Sequence, residues 1–315
     1  MLHFQLTPDV SLDAHANWIT RTNSAIMPIA PNLATFAQRA YMKVSQELWP
    51  HRQFKTAFGA TMEGDVSDFV FKRMCFFGLW EPGLTRFMIR TIRRGQTVVD
   101  LGANHGYFSL LMSRLVGEGK VIAIEASSAN CESLRRNIAL NRAFNVSALN
   151  VAVADHAGTV ELVDPDPGNS GNPTTMAAED HEEGELVPCD RLLPILGADV
   201  GRVSFIKIDI EGAERPALED IIANKDLFAR PLTIASEVSK ANRDIIDSFT
   251  DAGFDARIMP NDYGFGSYLR AHDIDGRTLP LSEKRSETDD YVFQLAAEPV
   301  HGIGDVLELI SLASH

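Results

Sequence analysis

The stretch VVDLGANHGYF, residues 98–108, limits what this chain can fold into more than any other part of it. Val98 and Val99 end a short apolar run, Asp100 stands at its edge, and Gly102 and Gly106 bracket a turn. The residues that follow place Phe108, Leu111, Met112 and Leu115 at helical spacing, with a stop at Gly117. A buried strand, a glycine turn and an amphipathic helix in that order form the corner at which open α/β folds hold ligands.

The glycine spacing narrows the ligand. A dinucleotide turn needs G-x-G-x-x-G, because the second glycine admits a pyrophosphate and the third lets helix and strand pack closely. Here Asn104 stands where the second glycine would be and Tyr107 where the third would be, which removes the physical basis for a dehydrogenase. No G-x-x-x-x-G-K-[ST] stretch supplies a lysine for nucleotide phosphates. With 29 Lys and Arg against 43 Asp and Glu, the chain carries a formal charge of −14 and would repel a polyphosphate, so nucleic acid is not expected as a partner. What remains is a ligand with a ribose and no phosphate, the ribose hydroxyls donating to Glu125, about 20 residues past the turn.

From Thr97 onward strands and helices alternate. KVIAIE (120–125), VSALNVAV (146–153), RVSFIKIDIEG (202–212) and PLTIASE (231–237) read as further strands, and SSANCESLRRNIALN, ERPALEDIIANKD and NRDIIDSFTDAGF as the helices between them. DARIM and YVFQLAA read as two late strands around a polar insertion, an antiparallel finish to a largely parallel sheet. The segment 163–185, rich in Asp, Pro, Gly and Asn, reads either as a lid or as a disordered linker. Ahead of the strands, residues 1–53 form a helical extension, HRQFKTAFGATMEGD a hairpin, and EPGLTRFMIRTIRRG a helix whose arginines face solvent. The main domain follows at 54–296 and a tail at 297–315.

Hydrophobic residues make up 45% of the chain, enough for a large core. Cys75, Cys131 and Cys189 are far apart and show no zinc or disulfide spacing, which points to a reducing, cytoplasmic setting. No basic, then apolar leader opens the sequence, and no apolar run approaches a membrane span, so no membrane partner is expected.

S-adenosylmethionine has a ribose, an adenine and a zwitterionic tail without phosphate. VVDLGANHGYFSL, IAIEAS, VAVADHAGTVEL, GNSGNPTTM, CDRLL and FIKIDIEGAE, in this order, together with FGATMEGD and FGLWEP, resemble the FkbM-type methyltransferases. The resemblance implies a class I, Rossmann-like α/β fold: a doubly wound seven-stranded sheet, mostly parallel with an antiparallel last strand. It also implies S-adenosylmethionine as cofactor and a hydroxyl of a small molecule, sugar or glycan as acceptor. Gly102, Asn104 and Gly106 would then lie beneath the methionine moiety, with Ala103 and Tyr107 beside them and Asp100 near the ammonium group. Glu125, followed by Ala126, would hold the ribose, and Asp155 would face the adenine amino group. Each acid has a plainer reading: Glu125 as a helix N-terminal acid and Asp155 as a turn residue. His105, where the family more usually has an aliphatic residue, either touches the substrate or, on the plainer reading, is a packing histidine.

An alcohol does not ionise near neutrality, so its methylation needs a group that takes the proton. In FIKIDIEG, Lys207, Asp209 and Glu211 are two apart and share one side if the strand persists. Asp209 is then a cofactor or acceptor contact, Glu211 a proton acceptor or acceptor-orienting group, and Lys207 the group that sets their charge. A lysine in a buried strand needs a counter-ion, for which Asp209 is nearest, and a purely structural pair is the plainer alternative. Asp209, Glu211 and Glu237 could gather around Mg²⁺, but the spacing demands no metal. Tyr263, Phe265, Tyr268 and His272 either line the acceptor side or pack. The rival to an enzyme is a binding or scaffold module of the same fold. Residues 1–53 would serve as a docking arm in that case, or as a homo-oligomer contact in either.

Overall fold

Along the strand that precedes the glycine turn, successive side chains enter different cores. Val98 packs with one apolar cluster and Val99 with another, and Phe205 and Ile206 divide in the same way. A strand buried on both faces carries a near-continuous apolar sequence, which is why these strands read as runs instead of alternations.

The computed structural model describes residues 22, 23, 25–163, 184–210, 213–260, 264–269, 274–282 and 288–297. Helix α1 (Pro31–Leu48) leads to the hairpin β1 (His51–Lys55) and β2 (Thr61–Asp65), then α2 (Phe69–Phe77) and α3 (Pro82–Thr91). The core alternation follows: β3 (Thr97–Leu101), α4 (Tyr107–Val116), β4 (Lys120–Glu125), α5 (Ser128–Leu140) and β5 (Val146–Asn150). Next come β6 (Ala152–Val153), β7 (Gly158–Leu162), β8 (Glu185–Asp190), α6 (Leu192–Leu196), β9 (Val203–Ile208), α7 (Glu214–Ala223) and β10 (Leu232–Ser239). Helix α8 (Asp244–Asp251), β11 (Asp255–Met259), α9 (Phe265–Leu269), β12 (Leu279–Pro280) and β13 (Thr288–Leu295) complete the described elements.

The main sheet runs β5-β4-β3-β9-β10-β13-β11-β12. Its pairs from β5 to β10 are parallel, and β13 enters antiparallel between β10 and β11. Seven strands match the doubly wound expectation; the eighth, β12, is a two-residue strand within the polar insertion. The chain winds outward from β3 through β4 to β5 and, on the other side, through β9 to β10. The β3/β9 junction is therefore the switch point, where a crevice opens at the carboxyl edge.

Two expected strands differ from their apolar runs. Residues 146–153 split after Asn150, because the Asn150 amide turns back to donate to the Glu125 and Ala126 carbonyls at 3.0 and 2.7 Å. Strand β6 then leaves the main sheet for a three-stranded sheet of order β6-β8-β7. Residues 202–212 are extended only to Ile208, so the strand does not persist through Asp209.

The hairpin is fastened to the main domain. Asn141 and Asn137 side chains accept from the Thr61 and Glu63 amides at 2.8 and 2.9 Å. The 53/54 division consequently falls inside β1. Phe265 and Tyr268 on α9 pack against Phe77, with ring centroids 5.3 and 5.0 Å away. Tyr268 is buried, so of the two readings for this pair the structure takes packing; Tyr263, His272 and the GNSGNPTTM stretch lie outside the described residues.

Candidate active site

At the switch point the glycine turn presses on the end of β9. Gly102 has φ +77°, and a Cβ there would lie 1.8 Å from the Asp209 carbonyl oxygen, so only glycine fits. Asn104 is also left-handed, at φ 49°, and its amide points to the Glu125 carboxylate, which accepts it at 2.7 Å. The other Glu125 oxygen accepts the Ser127 amide at 3.0 Å, ahead of α5. Glu125 thus does what a helix N-terminal acid does while also facing the cavity. Burial pushes its carboxyl above the usual range, opposed by those two amides and by the charges of Lys207 and His105.

The crevice is a cavity of about 340 Å³, within the range of small-molecule sites. Gly102, Ala103, Asn104, Tyr107, Glu125, Ala126, Lys207 and Asp209 all line it. One wall is apolar, made by Ile124, Val151, Val153, Leu162 and Ile210. Glu237, the third carboxylate weighed for Mg²⁺, lines the cavity beside Asp209. Among the described residues, no group of three or more His, Cys, Asp or Glu is arranged to hold a metal.

Lys207 is the electrostatic centre. Its Nζ donates to the Gly102 carbonyl at 3.0 Å, lies 3.0 Å from Asp209 Oδ2 and 3.8 Å from Asp100 Oδ1, and sits 5.4 Å from the centre of the Phe108 ring. Burial alone would lower its pKa, but the charges of Asp209, Asp100 and Glu81 outweigh it and hold the ammonium above its ordinary value. The expected Lys207–Asp209 pair is therefore present, with Asp100 as a second counter-ion.

Three expected cofactor residues do not line the cavity. Asp100 is fully buried, where Ser109 Oγ donates to it at 2.6 Å and the Lys207 ammonium faces it. Burial raises its pKa, with Lys207 and Ser109 opposing. Gly106 supports from behind: at φ +92°, a Cβ there would meet Leu134 Cδ1 at 2.6 Å. Asp155 points away, its exposed carboxylate 2.7 Å from His156 Nδ1, because the departure of β6 carries residue 155 into the turn before β7. Glu211 lies outside the described residues. His105 lines the cavity but is held by packing, with Nδ1 3.0 Å from Ser133 Oγ, Nε2 3.5 Å from Asp68 Oδ1, and its ring edge-on to Phe71.

Residues to which the strand pattern assigned no role close the other end: Phe69, Val70 and Met74 from α2, and Trp80 and Glu81 from the turn before α3. The FGLWEP stretch was the available signal, since it belongs to the resemblance yet precedes every strand of the main sheet.

Residues 100–256 match the family model described as the methyltransferase FkbM domain. Methyltransferase sdnD of Sordaria araneosa is 30% identical over 190 residues, which cover 50% of this chain and 73% of that protein. The chain belongs to the FkbM-type methyltransferase family. Methyltransferase 1 of Beauveria bassiana (strain ARSEF 2860) is 29% identical over 147 residues, 39% of this methyltransferase and 57% of that one, so the match spans less than two thirds of the latter. An S-adenosylmethionine-dependent O-methyltransferase structure from Thermotoga maritima aligns with a TM-score of 0.41 at 12% identity, over 79% of each chain. No described helix of this methyltransferase is long and apolar enough to cross a membrane.

Proposed function

We propose that this methyltransferase uses S-adenosylmethionine to methylate a hydroxyl group of a small molecule, sugar or glycan. The observation that carries the reading is the charge of the cavity wall. Among the described lining residues, Glu81, Glu125, Asp209 and Glu237 bring carboxylates, while Lys207 brings an ammonium already committed to Asp209 and the Gly102 carbonyl. Such a wall favours a cationic ligand and disfavours a pyrophosphate. The cofactor's charges, an ammonium and a sulfonium against one carboxylate, have the matching sign.

When bound, the cofactor supplies a methyl group on a strongly electrophilic sulfonium. The protein's share is to hold, align and take up a proton. Glu125 would accept from the ribose hydroxyls, since each of its oxygens keeps acceptor capacity beyond its one amide bond. The apolar wall from Ile124 to Leu162 suits a purine, and the turn at Gly102, Ala103 and Asn104 suits the amino-acid tail. Asp209 would face the acceptor with its charge set by Lys207, and Glu211 would take the hydroxyl proton or orient the acceptor. Three free thiols support a reducing, cytoplasmic setting. Leu33, Phe36, Val44 and Leu48, exposed along α1, support a subunit contact through the extension.

The test is calorimetric titration with S-adenosylmethionine, S-adenosylhomocysteine and NAD⁺, then transfer of labelled methyl to hydroxylated acceptors. Binding of the two sulfur ligands alone, with label in an ether linkage, is the expected result. Binding of NAD⁺ in their place would overturn the cofactor, and label on nitrogen would overturn the acceptor.

A further inference from the structure

Glu81 stands where the wall of the cavity meets the turn before α3. It is the residue before helix α3, and its side chain makes no capping bond to that helix. Its backbone is left-handed, with φ 41°, an uncommon state for a residue with a Cβ. Of the three described non-glycine residues with positive φ, Glu81 and Asn104 both line the cavity. Backbone strain held at a cavity wall marks a place where side-chain direction matters more than local comfort.

The turn is also held firmly. Thr85, fully buried, donates to the Trp80 carbonyl at 2.6 Å, and its hydroxyl lies 3.1 Å from that of Tyr107, the first residue of the helix after the glycine turn. Gly83 fits closely under the Pro260 carbonyl, where a Cβ would come within 2.6 Å. The Glu81 side chain is buried, at 4% exposure, although it belongs to a loop. Glu81, Lys207, Asp209 and Glu237 line both the main cavity and a small one beside it, along the edges of β9 and β10. Glu125, at the end of β4, is three strand spacings from β10, about 14 Å. A ribose at Glu125 and an amino-acid tail over β3 would leave the β9–β10 edge to the second substrate.

We propose that Glu81 is an acceptor-binding residue, its carboxylate accepting the hydrogen bond of the hydroxyl that is methylated, which leaves to Glu211 the other role weighed for it, that of orienting the acceptor. The assignment rests on the S-adenosylmethionine reading above. It places the recognition of the acceptor partly on the turn before α3, with Trp80 and Phe69 as the apolar surface next to it.

The test needs no known acceptor. Sinefungin, an analogue of S-adenosylhomocysteine, carries an amine on the carbon that replaces sulfur, directed where the methyl group would be. A carboxylate on the acceptor side therefore distinguishes it from S-adenosylhomocysteine. Calorimetry on the full chain should find sinefungin bound about tenfold more tightly than S-adenosylhomocysteine. Glu81→Gln should abolish most of that preference and leave the affinity for S-adenosylhomocysteine within about twofold. Equal weakening of both ligands would overturn the assignment, placing Glu81 at the amino-acid tail. An unchanged preference, or none in the wild type, would overturn it as well, because the amine would then not meet Glu81. A wild type that binds neither ligand would refute the cofactor reading and this assignment with it. If the Gln variant melts early, Glu81→Asp, which keeps the charge and withdraws it by one methylene, must show the same selective loss.

Discussion

Replacing Lys207 with methionine removes the ammonium that stands between Asp100 and Asp209 and fills its space with an apolar chain of similar length. Asp100 is 0% exposed and would keep the hydrogen bonds from Ser109, whose hydroxyl donates at 2.6 Å. Breaking a buried pair in this way costs about 3–5 kcal/mol, because a charge is left without compensation. For a chain of this size that corresponds to a urea midpoint lower by about 1–2 M at pH 7. The loss should depend on pH in a defined direction. Burial already holds the Asp100 carboxyl above its ordinary range, and Lys207 opposes that rise. Without Lys207 it rises further, so the folded variant binds a proton more tightly than the unfolded chain does. Such a group contributes stability below its unfolded pKa and loses it as pH rises through the folded value. The deficit relative to wild type should therefore shrink from pH 7 towards pH 5. Adding Asp100→Asn to the methionine variant should recover part of it at pH 7, since the buried charge is gone. A loss below about 1 kcal/mol, a deficit constant across that range, or a double variant no better than the sum of its parts would refute the argument.

Gly102→Ala should lower stability by about 1–3 kcal/mol and abolish cofactor binding, since the added Cβ would lie 1.8 Å from the Asp209 carbonyl oxygen. An unchanged melting temperature would show that the turn and the end of β9 do not meet as described. Glu125→Ala should weaken S-adenosylmethionine by about 1–3 kcal/mol, the scale of a lost charged hydrogen bond. Calorimetry decides this, and an unchanged dissociation constant would remove Glu125 from the ribose.

The elements that depend on local pattern were legible in the sequence. KVIAIE is β4 residue for residue, and the run from Tyr107 to its stop at Gly117 is α4. Lys207 announced itself as a lysine in an apolar strand, and its need for Asp209 followed from charge alone. Its second counter-ion did not, because Asp100 faces Lys207 only through the pairing of β3 with β9, whose register sets these two residues side by side. That Asp155 does not line the cavity was illegible for a related reason. An apolar run through residue 153 does not reveal that Asn150 spends its side chain on the carbonyls after β4 and lets the backbone leave the sheet. Glu81 was hidden by position, since it precedes every strand of the main sheet and reaches the cavity from the turn before α3.

The placement of β13 has a consequence for how the protein is made. This strand pairs along eight residues with β10 and along five with β11, so it is the sole sheet neighbour that joins β11 to β10 among the described strands. Until residues 288–295 have been synthesised, β10 presents a naked edge and β11 has no place in the sheet. A ribosome stalled before that point would hold a chain with its glycine turn and Lys207 already emerged and an apolar border open to other nascent chains. A stop codon that falls before residue 288 would therefore act through aggregation and degradation before any question of catalysis arises.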